Sequence, residues 1–158
     1  MGVLATTAAG RRDARGLATS SIVADFLDTN VLVYAFDKDE PVKQARARDL
    51  MRERPDAVIS TQVMLEWYAV VTRKFATPMP ASVAEKALAT LAALDVVTAD
   101  AELVVRAAQT AATHQLSIWD AMIVETASLV GCQTLWSEDL SDGATIRGVT
   151  IRNPFASV

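Results

Sequence analysis

From residue 22 onward the chain alternates between short apolar runs and longer stretches with helical spacing. Residues 22–28 (IVADFLD) form a brief apolar run that ends in Asp-Thr-Asn, the pattern of a buried strand entering a turn. Residues 31–36 read as a short helix. Pro41 can take the first position of the next helix, which continues over 42–53 and stops before Pro55. Residues 57–60 (AVIS) give a second short strand, and Thr61 is a suitable cap for a helix over 62–75. Pro78 and Pro80 interrupt the chain before an alanine-rich helix at 82–94. Residues 95–98 (DVVT) form a third strand. Asp100 caps a helix over 101–115, Ser117 caps another over 118–130, and Gly131 stops it. Residues 133–137 (QTLWS) form a fourth strand, with 149–152 as a fifth. Short apolar strands alternating with helices predict an α/β fold, a three-layer α/β/α sandwich around a central parallel sheet. In such sheets the working site lies beyond the carboxyl ends of the strands.

Residues 1–21 lack this periodicity and divide the chain into a flexible tail and one domain over 22–158. The tail contributes a charge of +2 and the remainder -6, within a total of -4. Its basic residues follow its apolar stretch, the reverse of a secretory signal. Arg and Ser without much acid weakly resemble a transit peptide, and Gly2 with Thr6 fits a myristoylation pattern. An unstructured extension or an upstream start codon is the plainer reading. The whole chain of 158 residues is 51% hydrophobic and 22% charged, the composition of a globular protein. No apolar run reaches the roughly 18–20 residues of a membrane helix. One cysteine excludes an internal disulfide and any multi-cysteine metal centre. A soluble, cytoplasmic protein without membrane contact is expected. Net negative charge opposes nucleic-acid binding through a basic coat, while leaving room for local or metal-assisted contact.

Four carboxylates stand out by position. Asp28 follows the first strand, where it can also cap the next helix. Glu66 lies about a turn and a half into the helix after the second strand. Val63, Trp67, Val70 and Val71 point to the core; Gln62, Glu66, Ala69 and Arg73 share another stripe. No cation stands three or four residues from Glu66, which removes a local salt bridge and leaves a solvated glutamate as the alternative. Asp120 has the spacing of a capping box with Ser117, yet Ile118, Trp119, Met122 and Ile123 flank it. Asp139 follows the fourth strand beside Glu138 and Asp142, and a polar turn is its ordinary explanation. Convergence of such acids requires a cation, and oxygen-only ligands select Mg2+ or Mn2+. His114 is expected at a helix end and Cys132 in the interior.

The segments FLDTNVLVYAFD (26–37), the Glu66 helix, LSIWDAMIVETA (116–127), LWSEDLSDG (135–143) and GVTIRNPF (148–155) together resemble a PIN domain, the last in the manner of VapC-type toxins. The resemblance covers about residues 24–155, and its weight lies in several motifs in order. It implies a metal-dependent endoribonuclease (a hydrolase using Mg2+ or Mn2+) that leaves a 3′-hydroxyl and a 5′-phosphate. Asp28, Glu66, Asp120 and Asp139 match the family's acids, with Asp142 in reserve for the fourth. Asp28, Asp120 and Asp139 are assigned to metal, and Glu66 to metal or to the attacking water. Thr29, Asn30 and Ser137 match polar positions beside the acids. The resemblance also implies an RNA substrate, a cognate antitoxin protein and a homodimer. The tail at 1–21 is not a family feature.

Contacts to RNA are less defined. Lys43, Arg46, Arg48, Arg52 and Arg54 on the 41–54 helix can meet phosphates or form a solvated face with Asp49 and Glu53. Arg73 and Lys74, on the Glu66 helix, are better placed for substrate. Trp67, Trp119 and Trp136 are expected in the core, with base stacking as their other use. A haloacid-dehalogenase-type phosphatase needs a second Asp where Asn30 stands and a late lysine, whereas the last lysine is Lys86. A receiver domain lacks the same lysine, and no glycine-rich phosphate loop occurs. A non-catalytic PIN-like module that binds RNA or protein is the remaining rival, and the presence of all four acids disfavours it.

Overall fold

The computed structural model describes residues 24–158; the tail assigned to 1–21 lies outside the described residues. The chain runs β1 (Asp25–Leu27), α1 (Thr29–Phe36), α2 (Pro41–Glu53), β2 (Val58–Ser60), α3 (Thr61–Arg73), α4 (Ala81–Leu91), β3 (Asp95–Val97), α5 (Ala101–His114), α6 (Ile118–Leu129), β4 (Thr134–Trp136), β5 (Thr145–Ile146) and β6 (Val149–Arg152). The six-stranded sheet has the order β3-β2-β1-β4-β6-β5. All pairings are parallel except β5 with β6. In β1 the successive residues Phe26 and Leu27 are both buried, and all three residues of β2 are buried. Successive strand residues face opposite sides, so both faces are covered. This is the three-layer α/β/α arrangement expected from the sequence.

The strands are short and apolar, and the helices carry much of the packing. Val63, Trp67 and Val71 of α3 are buried, as the helical spacing requires, and Trp67 meets Phe36 edge-on at 5.1 Å. A second, smaller core joins Leu103 and Ala107 of α5 to Ala121 and Met122 of α6. Asp100 and Ser117 cap α5 and α6 through their side chains, as expected.

Several expectations need correction. Ser60, not Thr61, caps α3: its hydroxyl accepts from the Val63 N–H at 3.3 Å, which draws Thr61 into the first turn. The helix expected over 82–94 is α4, Ala81–Leu91, because two turn-forming residues precede β3. The sheet also gains a strand, β5, which forms a tight antiparallel hairpin with β6 through Arg147 and Gly148. Both have positive φ, 53° and 80°, as a two-residue type I′ turn demands. Arg147 is held in this conformation by an ion pair of its guanidinium with buried Glu125 at 2.8 Å and by its carbonyl, which accepts from Ser128 Oγ at 2.8 Å. Among the described residues no helix is long and apolar enough to cross a membrane.

Candidate active site

The sheet order reverses at β1: β2 and β3 extend one way, β4 and β6 the other. A crevice opens beyond the carboxyl ends of strands at such a reversal. Asp28 directly follows β1, and Ser137, Glu138 and Asp139 directly follow β4. The Asp28 N–H donates to the Trp136 carbonyl at 3.0 Å, which locks the two strand ends together. A cleft of about 520 Å3 lies there, and Asp28, Glu66, Asp120 and Asp139 all line it. Residues up to 111 positions apart in sequence are thus gathered by topology.

Each acid is held by neutral donors. Asp28 Oδ1 accepts from the Thr29 N–H at 2.6 Å, and Oδ2 accepts from Ser137 Oγ at 2.7 Å and Asn30 Nδ2 at 3.2 Å. Asn30 Nδ2 also donates to Asp139 Oδ2 at 3.1 Å, while Asn30 Oδ1 accepts from the Glu138 N–H at 3.2 Å. One amide therefore straddles two carboxylates and ties α1 to the loop after β4. Thr29 Oγ1 donates to Glu66 Oε2 at 2.8 Å, and Gln62 Nε2 donates to Glu66 Oε1 at 2.8 Å. Ser117 Oγ donates to Asp120 Oδ2 at 2.7 Å and accepts from the Asp120 N–H at 3.1 Å, so the capping box forms at the cleft wall. Thr29, Asn30 and Ser137 all stand against acids of the cleft.

The electrostatics of this arrangement are unbalanced. None of the four carboxylates has a Lys or Arg ion-pair partner among the described residues. Burial pushes the Asp28 carboxyl up to about 6, and the charges of Asp139 and Glu66 push the same way; hydrogen bonds from Ser137 and Thr29 oppose them. Among the described residues no three carboxylates are drawn together into a metal-ligand cluster. The donor set nevertheless suits a hard divalent cation: it is all oxygen, negatively charged, and penalised by its own repulsion. Asp28, Glu66, Asp120 and Asp139 could hold such an ion.

Other sequence candidates sit elsewhere. Asp142 Oδ1 accepts from the Asn153 N–H at 2.8 Å and does not line the cleft. Lys74 lines the cleft, but Arg73 does not. The cations of α2 are engaged within the chain: Arg46 with Glu53, Arg52 with Asp49, Arg54 with Asp25, and Arg48 with the Ala35 carbonyl. Lys43 reaches the rim, donating to Glu138 Oε1 at 2.5 Å and Tyr34 Oη at 3.0 Å. Trp67 is buried and Trp136 half-buried, but Trp119 is 63% exposed on the cleft lip, correcting its expected place in the core. Sequence reasoning missed Gln62, Tyr34 and Glu138 as cleft residues. For Gln62 the signal was present, since it stands one helical turn before Glu66 on the same stripe.

The chain belongs to the PIN domain family, whose model matches residues 26–141. No curated protein matches the sequence significantly. Among solved structures the fold is similar to VapC20 of Mycobacterium tuberculosis, described as a sarcin–ricin loop cleaving toxin. The identity is 21% and the TM-score 0.60, over 73% of this chain and 92% of that one. A toxin–antitoxin complex from Klebsiella pneumoniae gives 19% identity and a TM-score of 0.64, over 84% and 98%. FitAcB from Neisseria gonorrhoeae gives 20% identity and 0.58, over 84% and 99%.

Proposed function

We propose that this chain is a divalent-metal-dependent endoribonuclease acting as the toxin of a toxin–antitoxin pair. The observation that carries this reading is that Asp28, Glu66, Asp120 and Asp139 line one cleft with no basic ion-pair partner among the described residues. Membership of the PIN family and the likeness of the fold to toxins support it.

Asp28, Asp120 and Asp139 would hold Mg2+ or Mn2+. When bound, the ion would supply activation of water at neutral pH and offset charge on the phosphate. Glu66 is held at both oxygens by Thr29 and Gln62, which fixes its carboxylate against the cleft. It serves either as a further ligand or to orient the attacking water and draw off its proton. Asn30 and Ser137 fix Asp28 and the Asp139 loop before substrate arrives, limiting reorganisation during the reaction. Lys74 meets a phosphate of the RNA. Water attacks phosphorus, the bond to the 3′ oxygen breaks, and that oxygen takes a proton, leaving a 3′-hydroxyl and a 5′-phosphate. The protein works as a homodimer and is silenced by a cognate antitoxin.

Purified full-length protein and structured RNA test this. Cleavage is expected in Mg2+ or Mn2+, and its loss in EDTA and in Asp28→Asn and Asp120→Asn. Activity that persists in EDTA, or intact activity in both variants, overturns the proposal. RNA binding without cleavage in any metal assigns the chain to the non-catalytic alternative. Co-expression with the product of an adjacent small reading frame should give a stable, inactive complex.

A further inference from the structure

We infer that Trp119 is a stacking platform for an unpaired nucleobase of the substrate beside the cleft. This inference rests on the nuclease reading and adds a residue that positions substrate. The three tryptophans occupy different settings. Trp67 is fully buried against Phe36. The indole N–H of Trp136 donates to Asp25 Oδ2 at 2.9 Å, and the Arg54 guanidinium covers its ring at 5.8 Å. Trp119 alone among them leaves its ring largely in solvent while lining the cleft.

Its backbone is anchored to the carboxylates. Gln62 Nε2 donates to the Trp119 carbonyl at 3.2 Å and to Glu66 Oε1 at 2.8 Å. Trp119 also sits in the capped first turn of α6, directly before Asp120. The ring therefore stands on a rigid base at a fixed offset from two of the acids. The cleft volume falls in the range that encloses small ligands, enough for a nucleotide.

Charge points to the same use. The chain carries a net -4, the cations of α2 are engaged within the protein, and Lys74 is the one Lys or Arg among the residues lining the cleft. Basic side chains that could hold phosphates are few along the cleft, which gives weight to a contact indifferent to charge. Base–aromatic stacking is such a contact, and it requires a base whose face is free. In a duplex both faces are covered.

The test measures binding of wild-type protein, in Ca2+, to an oligo(A) 12-mer, an abasic oligomer of the same length, and an oligo(A)·oligo(U) duplex. Trp119→Ala, Trp119→Tyr and Trp119→Phe are measured alongside. Oligo(A) is expected to bind tighter than the abasic oligomer and the duplex. Trp119→Ala should raise its Kd roughly 5- to 150-fold, and Trp119→Tyr should recover most of the loss. Quenching of tryptophan fluorescence by oligo(A) should vanish in Trp119→Phe. If the Ala variant misfolds, the abasic comparison on wild-type protein decides alone. Equal affinity of wild-type protein for oligo(A) and abasic oligomer overturns the inference. So does an unchanged Kd in a folded Trp119→Ala variant, including one that gel filtration shows converted from dimer to monomer. That last outcome assigns the ring, with exposed Ile118 and Leu65, to a second copy of the chain. An unchanged KM in an active Trp119→Ala enzyme removes only the stacking role. Wild-type protein that neither binds nor cuts RNA removes the nuclease reading and the stacking role together.

Discussion

Asp28 performs two tasks with two oxygens. Oδ1 accepts from the Thr29 N–H beside it, while Oδ2 is shared by Ser137 and Asn30 at the cleft. The helix cap is thus present through Oδ1, while Oδ2 is turned to the cleft in which the proposed site lies. Sequence cannot separate the two tasks, because the same turn after β1 serves both. The raised Asp28 carboxyl has a consequence for stability. The folded protein holds its proton up to about pH 6, against an ordinary value of 3.8, so folding binds a proton between these values. Stability from this group is then greatest at low pH and falls as pH rises through about 4 to 6. In EDTA, Asp28→Asn should gain on wild type across that window, by up to about 3 kcal/mol at pH 7.5. Urea unfolding at pH 4 and pH 7.5 checks the sign. The residues around the acids are testable separately: Ser137→Ala should lower metal affinity or activity about 10- to 100-fold while the protein stays folded. Cys132 is the contrasting case, a small buried side chain whose thiol burial pushes up to about 11.

At the scale of elements, the helices were legible where a cap and an apolar stripe coincide. Asp100 before α5, Ser117 before α6 and Pro41 opening α2 all fall as the sequence indicates. Ser60 and Thr61 show the limit, since adjacent hydroxyls both suit a cap and only the strand end decides between them. The partners of the α2 cations were not legible, because Asp25, Glu138 and the Ala35 carbonyl are brought to them by tertiary packing. Nor was the β5–β6 hairpin, whose Arg-Gly turn departs from the usual Asn-Gly. Its explanation lies across the molecule in Glu125, which is 3% exposed, accepts from Thr110 Oγ1 at 2.5 Å, and pairs with Arg147. Removing Arg147 leaves the buried Glu125 carboxylate only the more distant Arg106 guanidinium at 3.9 Å. Arg147→Ala should therefore destabilise the protein by about 1–2 kcal/mol in denaturant titration at pH 7, and adding Glu125→Gln should recover part of the loss.

For the whole molecule, the three-layer fold was readable because short apolar strands alternate with helices, and the sequence pointed to the carboxyl ends of the strands, whereas the reversal at β1 is set by the strand order and was not readable. The exposure of Trp119 was not readable, since its neighbours Ala121 and Met122 are buried on the same helix. Collective behaviour should show the charge imbalance of the cleft. Mn2+ at a hundredfold excess over its Kd should add about 3 kcal/mol of stability at pH 7.5, a rise of roughly 5–10 °C in Tm, with little effect at pH 4.5. Calorimetry with and without EDTA measures it. The strand order has one more consequence. β4, which delivers Asp139, adds to the free edge of β1 although it is made long after it, and β6 then adds to β4. A polypeptide still emerging from the ribosome has neither Asp139 nor a neighbour on that edge of β1, so a message broken upstream of that codon yields a chain whose sheet stops at β1.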